Sequence, residues 1–461
     1  MTKTKKQLSI FKDVDMTGGA LPASLVTYAV PLLVTSILQT LYHAADIAVI
    51  GNFGSDTSVA SIGATTVIIH VLVNVFMNIV SGANLLFARY RGARDTDGVK
   101  DTLSTTYAFS MTLGVILMIA GLVFAKPMLV LTKCPGEVIV GAELYLKIYM
   151  IGVPASAFFN SMAAVLRSMG DSRRPFIYLS ISGIVNVIFN LIFVLGFGMD
   201  VEGVAIATVI SQYLSAALLF VRLVRFDDEN RLYPFNFKIR FYTLRKIVRY
   251  GIPSSISAAC FSLSNVFIQS ALNELGPYAI AGEAAVSNVM SLVLFSVAGP
   301  LSQTTSAFIG QNIGAGNRER CMKIARQMYV YGVIAVATLG VLCLIFIRPL
   351  LSLFVPGDAA AIEFGTLSLR LRCYVFAFYA IMQISNGVLQ AFGYTTYQMV
   401  NSMVFIVGIR FLWMLWIYRV FPSEFALLVC YPITWVAAAV GAFAVSLFLL
   451  SKYKRGKEFK L

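Results

Sequence analysis

The sequence predicts an all-α integral membrane protein with twelve transmembrane helices arranged as two parallel six-helix repeats. Three observations predict this: an apolar composition, twelve long uncharged runs, and a set of motifs in the first half that recurs in the second. Of the 461 residues, 58% are hydrophobic and 13% charged. Soluble domains carry about 25% charged residues, so this chain cannot cover a water-facing surface of ordinary size. A soluble cytosolic enzyme is excluded, and the bilayer is the expected solvent.

A hydrocarbon core of about 30 Å needs roughly 20 apolar residues in a helix. Runs of that kind lie at Leu21–Phe53, Ser58–Phe87, Thr102–Ala125, Ala142–Leu166, Phe176–Met199 and Val201–Val221. Six more follow at Ile247–Ala271, Ala279–Ile309, Ile324–Ile347, Ala361–Phe392, Val400–Phe421 and Phe425–Leu450. Several are longer than the bilayer requires, which implies tilt, kinks or extension beyond it.

The net charge of +14 is explained by topology. Of the 36 Lys and Arg residues, 28 fall in the N-terminal segment, the loops after even-numbered spans and the C-terminal tail. Positive charge collects on the cytoplasmic side, so both termini are expected there, in a plasma (inner) membrane, and the number of spans must be even. No basic domain exists, so nucleic acid is not an expected partner. The segment from Met1 to Gly19 is polar, with Lys3, Lys5, Lys6 and Lys12, and lacks the apolar region of a cleavable signal.

Tyr28-Ala-Val-Pro31 matches Tyr250-Gly-Ile-Pro253, Gly54 matches Gly276, and Gly92-Ala93 matches Gly314-Ala315, all at one common offset in numbering. Val165-Leu-Arg-Ser-Met-Gly170 matches Val388-Leu-Gln-Ala-Phe-Gly393 at an offset larger by one. Six spans separate equivalent points, so the halves share one orientation, as in transporters with parallel repeats. The expected organisation is a cytoplasmic segment 1–20, a first lobe 21–221, a basic linker 222–246, a second lobe 247–450 and a basic tail 451–461.

Ionisable residues inside hydrocarbon are costly and mark function by default. Asp46 stands between Leu41-Tyr-His-Ala-Ala and Ile47-Ala-Val-Ile, about two helical turns before Phe53. At 1.5 Å per residue that is roughly 10 Å below the outer end of span 1. Asn186 and Asn190 share one face of span 5, and Asn190 and Thr208 reach a similar depth on spans 5 and 6. One carboxylate among amide and hydroxyl groups is what a carrier of a single small cation needs, proton or Na⁺. The competing readings are a solvated helix end for Asp46 and plain interhelical hydrogen bonding for the others. Pro31 removes a backbone hydrogen bond within span 1, giving either a static kink or a bend that responds to Asp46.

Arg410, within span 11, is a possible cavity cation. It could face a water-filled cleft, pair with carbonyl oxygens or contact substrate. The six cysteines have no C-x-x-C spacing and read as small buried residues. With only His43 and His70, neither a metal cluster nor a triad is expected. No phosphate-binding G-x-x-x-x-G-K-[ST] loop occurs, so the energy source is expected to be an ion gradient, H⁺ or Na⁺, with no other cofactor.

Together these motifs resemble the multidrug and toxic compound extrusion (MATE) family over nearly the whole chain. The resemblance rests on Tyr28-Ala-Val-Pro31, Leu41-Tyr42 with Asp46 and Gly51, Gly92-Ala93, Leu166-Arg-Ser-Met-Gly-Asp171 with Pro175, Asn186-x-x-x-Asn190, Gly203-Val-Ala-Ile-Ala-Thr208 and Gln311-Asn-Ile-Gly-Ala315. It implies two six-helix lobes in a V and export of cationic or amphipathic compounds in exchange for H⁺ or Na⁺; a monomer is expected, and a membrane-bound enzyme is disfavoured because no nucleophile–base pair can be proposed. It also implies that Asp46 is the ion-coupling carboxylate, Asn186 and Thr208 its neighbours and Pro31 the bending proline. Asn190 departs from the family pattern, since many relatives carry a second acid there. Losing that acid favours protons, because hard cations prefer carboxylate oxygens.

A flippase for lipid-linked oligosaccharides from the same superfamily would need several interior cations for pyrophosphate. Here only Arg410, with Arg370 and Arg372 near a span end, is available. A general six-plus-six metabolite facilitator is disfavoured because Ala88-Arg-Tyr-Arg-Gly-Ala-Arg-Asp95 lacks the expected acid-before-Arg-x-Gly-Arg pattern.

Overall fold

A computed structural model describes residues 13–55, 57–132, 134–226, 231–233, 238–457 and 459. Lys3, Lys5, Lys6, Lys12 and Lys460 of the terminal segments, and residues 227–230 and 234–237 of the linker, lie outside them.

Among the described residues the chain is helical, without strands. The helices are α1 (Leu21–Phe53), α2 (Ser58–Ala93), α3 (Thr96–Leu131), α4 (Gly136–Met169), α5 (Arg173–Gly196) and α6 (Val201–Val224). They continue with α7 (Phe241–Leu275), α8 (Pro277–Gly314), α9 (Arg318–Ile345), α10 (Ala359–Cys373 and Phe376–Ala391), α11 (Thr395–Tyr418) and α12 (Glu424–Lys454). Ten of these are long and apolar enough to cross a membrane, and the two arms of α10, bent by 54° at their break, make an eleventh. The remaining helix, α2, has 36 residues. These twelve rods correspond to the twelve spans read from sequence, and this is a multi-pass membrane protein. Most helices outrun their apolar runs at one or both ends; α4, for example, begins at Gly136 rather than Ala142.

Two compact units divide the chain. One contains Val26–Gly251 and the segment ending at Met16; the other contains Thr17–Leu25 and the chain from Ile252 onward.

Within the first unit the recurring motifs have a structural reason. Gly170 ends α4 at φ +103°, a backbone region that a Cβ disfavours. A side chain there would also meet the Val14 carbonyl at 2.3 Å, and the Gly170 carbonyl accepts the Val14 N–H at 3.1 Å. Its counterpart Gly393 has φ +77°, so the second unit closes the equivalent helix by the same turn. Tyr28 donates its hydroxyl to the Arg167 carbonyl (2.9 Å), and Ser172 donates to the Tyr28 carbonyl (2.9 Å). The start of α1 is thereby tied to the turn between α4 and α5.

Pro31 does not interrupt α1, which runs on as one helix of 33 residues. The hydroxyl of Thr35 donates to the Pro31 carbonyl at 2.6 Å.

Five cysteines are buried and Cys134 is half-buried.

Candidate functional site

The site in the first unit is assembled by three helices. Asp46 lies in the second half of α1 and is only 9% exposed, so it does not sit at a solvated helix end. On α5, Gly183, Asn186 and Asn190 recur at the three- and four-residue spacing of one buried face. Gly183 sets how closely α1 can approach: a Cβ there would lie 1.9 Å from Cζ of Tyr42, one turn before Asp46. The Tyr42 ring therefore lies directly against the α5 backbone, and the next turn of α1 brings Asp46 to Asn190.

Asn190 donates Nδ2 to Asp46 Oδ1 at 2.6 Å and, at 3.4 Å, to Asn186 Oδ1. Asn186 in turn donates to Thr208 Oγ1 of α6 at 3.4 Å, and Thr208 donates to the Val204 carbonyl at 2.9 Å. All four residues singled out in the sequence thus form one continuous chain of hydrogen bonds. One amide group is left over: Asn190 Oδ1 is buried and has no hydrogen-bond partner among the described residues.

The surroundings are apolar. Ile50, Val194 and Val204, each one turn from Asp46, Asn190 and Thr208, belong to a single buried cluster that includes Tyr145 and Tyr149 of α4. Those two tyrosines have ring centroids 6.2 Å apart. A charge in such a place interacts far more strongly with its few neighbours than it would in water.

The MatE family profile matches residues 31–192 and 253–414, and the second stretch begins after the first by the same offset that separates the repeated motifs. The chain belongs to the MatE family. Among its relatives are the probable multidrug resistance protein YoeA of Bacillus subtilis, 27% identical over 443 residues (93% of this chain, 92% of YoeA), and the probable multidrug resistance protein NorM of Thermotoga maritima, 26% identical over 386 residues (83% and 82%). A crystal structure of MATE in the bent conformation shares its fold, with a TM-score of 0.88 at 19% identity over 98% of this chain and 99% of that one.

The second unit of this MatE protein holds a charged cluster that the sequence reading missed. Glu283 of α8 is 8% exposed, forms an ion pair with Arg372 of α10 and accepts the Ser368 hydroxyl at 2.8 Å. The Arg372 and Arg410 guanidinium groups lie 3.7 and 4.5 Å from the centroid of the Tyr431 ring. Arg410 is 1% exposed and donates to Ser264 Oγ (2.8 Å) and Asn265 Oδ1 (2.7 Å) of α7. Arg410 thus does not face an open cleft, and one of its two partners, the Asn265 amide oxygen, is a carbonyl oxygen of the kind expected for it. Arg372 also corrects an expectation: it is not near a span end but in the last turn before the α10 break, buried at 3% exposure.

A signal for Glu283 was present. It is an acid just one turn inside the apolar run that begins at Ala279. Its partner is 89 positions away, with no spacing rule to connect them.

Proposed function

We propose that this protein exports small organic cations or amphipathic compounds in exchange for a proton carried by Asp46. Drug efflux is supported by family membership and by relatives named as multidrug resistance proteins. Coupling is supported chiefly by one observation: a buried carboxylate whose hydrogen bond comes from a neutral amide, with no cation beside it among the described residues.

The amide gives the carboxylate a way to register its load. Ionised, Asp46 accepts from Asn190 Nδ2. Protonated, it becomes a donor and needs an acceptor, and the unpartnered Oδ1 of the same amide can supply one after a half-turn of the side chain. That turn withdraws Nδ2 from Asn186 and loosens the link to Thr208, so loading a proton on α1 alters how α5 holds α6. The proton is favoured over Na⁺ because the site offers a single carboxylate, whereas hard cations prefer several charged oxygens.

The flippase reading gains no support, since Arg372 is spent on Glu283 and Arg410 is buried against α7.

Uptake of dye cations into everted membrane vesicles, driven by an imposed pH or Na⁺ gradient, tests the proposal, with a lipid-linked glycan as the competing cargo. Dye accumulation driven by the pH gradient is expected. Movement of the glycan without the dyes would contradict it. Asn190→Asp adds a second carboxylate beside Asp46 and should shift the driving ion towards Na⁺; an unchanged ion preference would remove the argument from the missing acid.

A further inference from the structure

The two repeats differ sharply at the turn that opens their third helix, and the difference is one of charge. In the first unit, Asp95 caps α3 by accepting the Gly98 N–H at 2.9 Å, and Asp101 pairs with Arg240 at 3.0 Å. Positions 95, 96, 97, 98 and 101 read Asp, Thr, Asp, Gly, Asp. Their counterparts in the second repeat, at 317, 318, 319, 320 and 323, read Asn, Arg, Glu, Arg, Lys. With Lys100 and its counterpart Met322 counted, three acids and one base over 95–101 become one acid and three bases over 317–323.

Topology does not require this change, because the loop of each unit carries four basic residues overall. In the first unit three of them, Arg89, Arg91 and Arg94, precede the helix start; in the second all four follow it. The shift moves positive charge onto the opening turns of α9. That helix also lacks the cap its counterpart has, for Asn317 makes no side-chain capping bond. An uncapped helix start with added cations favours an anion.

A cavity of about 800 Å³ is present at this place. Arg318, Arg320 and Lys323 line it, opposed by Glu319, and Tyr453 and Phe459 add aromatic surface from the end of the chain. The arginines are held in place. Arg318 lies over the Tyr453 ring (5.6 Å) and donates to the Gly456 carbonyl at 3.3 Å, while Arg320 donates to the carbonyls of Gly18 and Gly19. Lys323 is exposed and makes no ion pair among the described residues.

We propose that this cavity binds the phosphate headgroup of an anionic membrane phospholipid. The cations and the open helix start take the phosphate, and the aromatic wall at the end of the membrane-spanning bundle takes the glycerol and upper acyl region. Basic pockets between transmembrane helices at this level recognise such headgroups. The inference does not depend on transport.

Native mass spectrometry of the whole protein from nanodiscs of mixed phosphatidylglycerol and phosphatidylethanolamine tests it. The wild-type protein should retain phosphatidylglycerol in preference. Each basic residue near an anionic surface is worth about fivefold in binding, so Arg318→Gln with Lys323→Gln should lower that preference about 25-fold. Arg326→Gln, on the same helix but outside the cavity lining, should leave it unchanged. Asn317→Asp installs the first unit's cap where the phosphate would sit, and it should reduce retention without removing any cation. Equal retention in wild-type protein, the double variant and Asn317→Asp would overturn the site. Displacement of the lipid by millimolar inorganic phosphate alone would assign the cavity to free phosphate and overturn the lipid assignment.

Discussion

Asp46→Asn should abolish resistance to dye cations in cells lacking their own exporters, while the protein reaches the membrane in wild-type amounts. Asparagine matches aspartate in shape and can accept from Asn190 through its own amide oxygen, so the chain to Asn186 and Thr208 can persist. It also removes the cost of a charge that is 9% exposed in apolar surroundings, so folding should not suffer. What it cannot do is alternate between charged and neutral. A substitution that spares packing but fixes the charge separates carrying a proton from holding α1 to α5. Quantitative membrane blots alongside growth in graded dye concentrations provide the check, and wild-type resistance in the variant would refute the coupling role.

Glu283→Gln should have the largest effect on stability. Breaking a buried ion pair by removing one partner costs about 3–5 kcal/mol, because the remaining charge loses its compensation. Here the loss would leave Arg372 without its carboxylate partner, while it shares the Tyr431 ring with Arg410. The Ser368 bond can survive in the amide, so the penalty isolates the charge. Removing both partners, as Glu283→Gln with Arg372→Gln, should recover much of the loss, since the unpaired cation goes as well. Thermal unfolding of the purified protein in detergent would show this pattern. A double variant as unstable as the single would mean that Glu283 acts through packing.

The membrane outline and the Asp46 constellation were legible because hydrocarbon is an unforgiving solvent. An acid within an apolar helix stands out, and two asparagines one helical turn apart must share a face. Depth counted from helix ends then brought α1, α5 and α6 to one level, and the hydrogen bonds follow that level.

The Glu283 cluster was not legible for a specific reason. The run Ala361–Phe392 reads as one continuous span, and nothing in its composition announces the 54° break after Cys373 or that the arm before it packs against α8 and brings Arg372 to Glu283. Arg410 was equally hard to place. It occupies a short α-helical stretch, Ile409–Leu412, between two π-helical segments, Met403–Gly408 and Trp413–Tyr418. Five-residue hydrogen bonding rotates side chains away from the faces that a 3.6-residue period assigns.

Proton counter-movement in sealed vesicles is the most direct test of the central claim. With wild-type protein reconstituted beside a trapped pH dye and no imposed gradient, adding a transported dye cation should release protons in step with its entry, in Na⁺-free buffer. Asp46→Asn vesicles should show none. Substrate entry at the wild-type rate with no proton signal, or an undiminished signal from Asp46→Asn, would contradict the assignment of the load to that carboxylate.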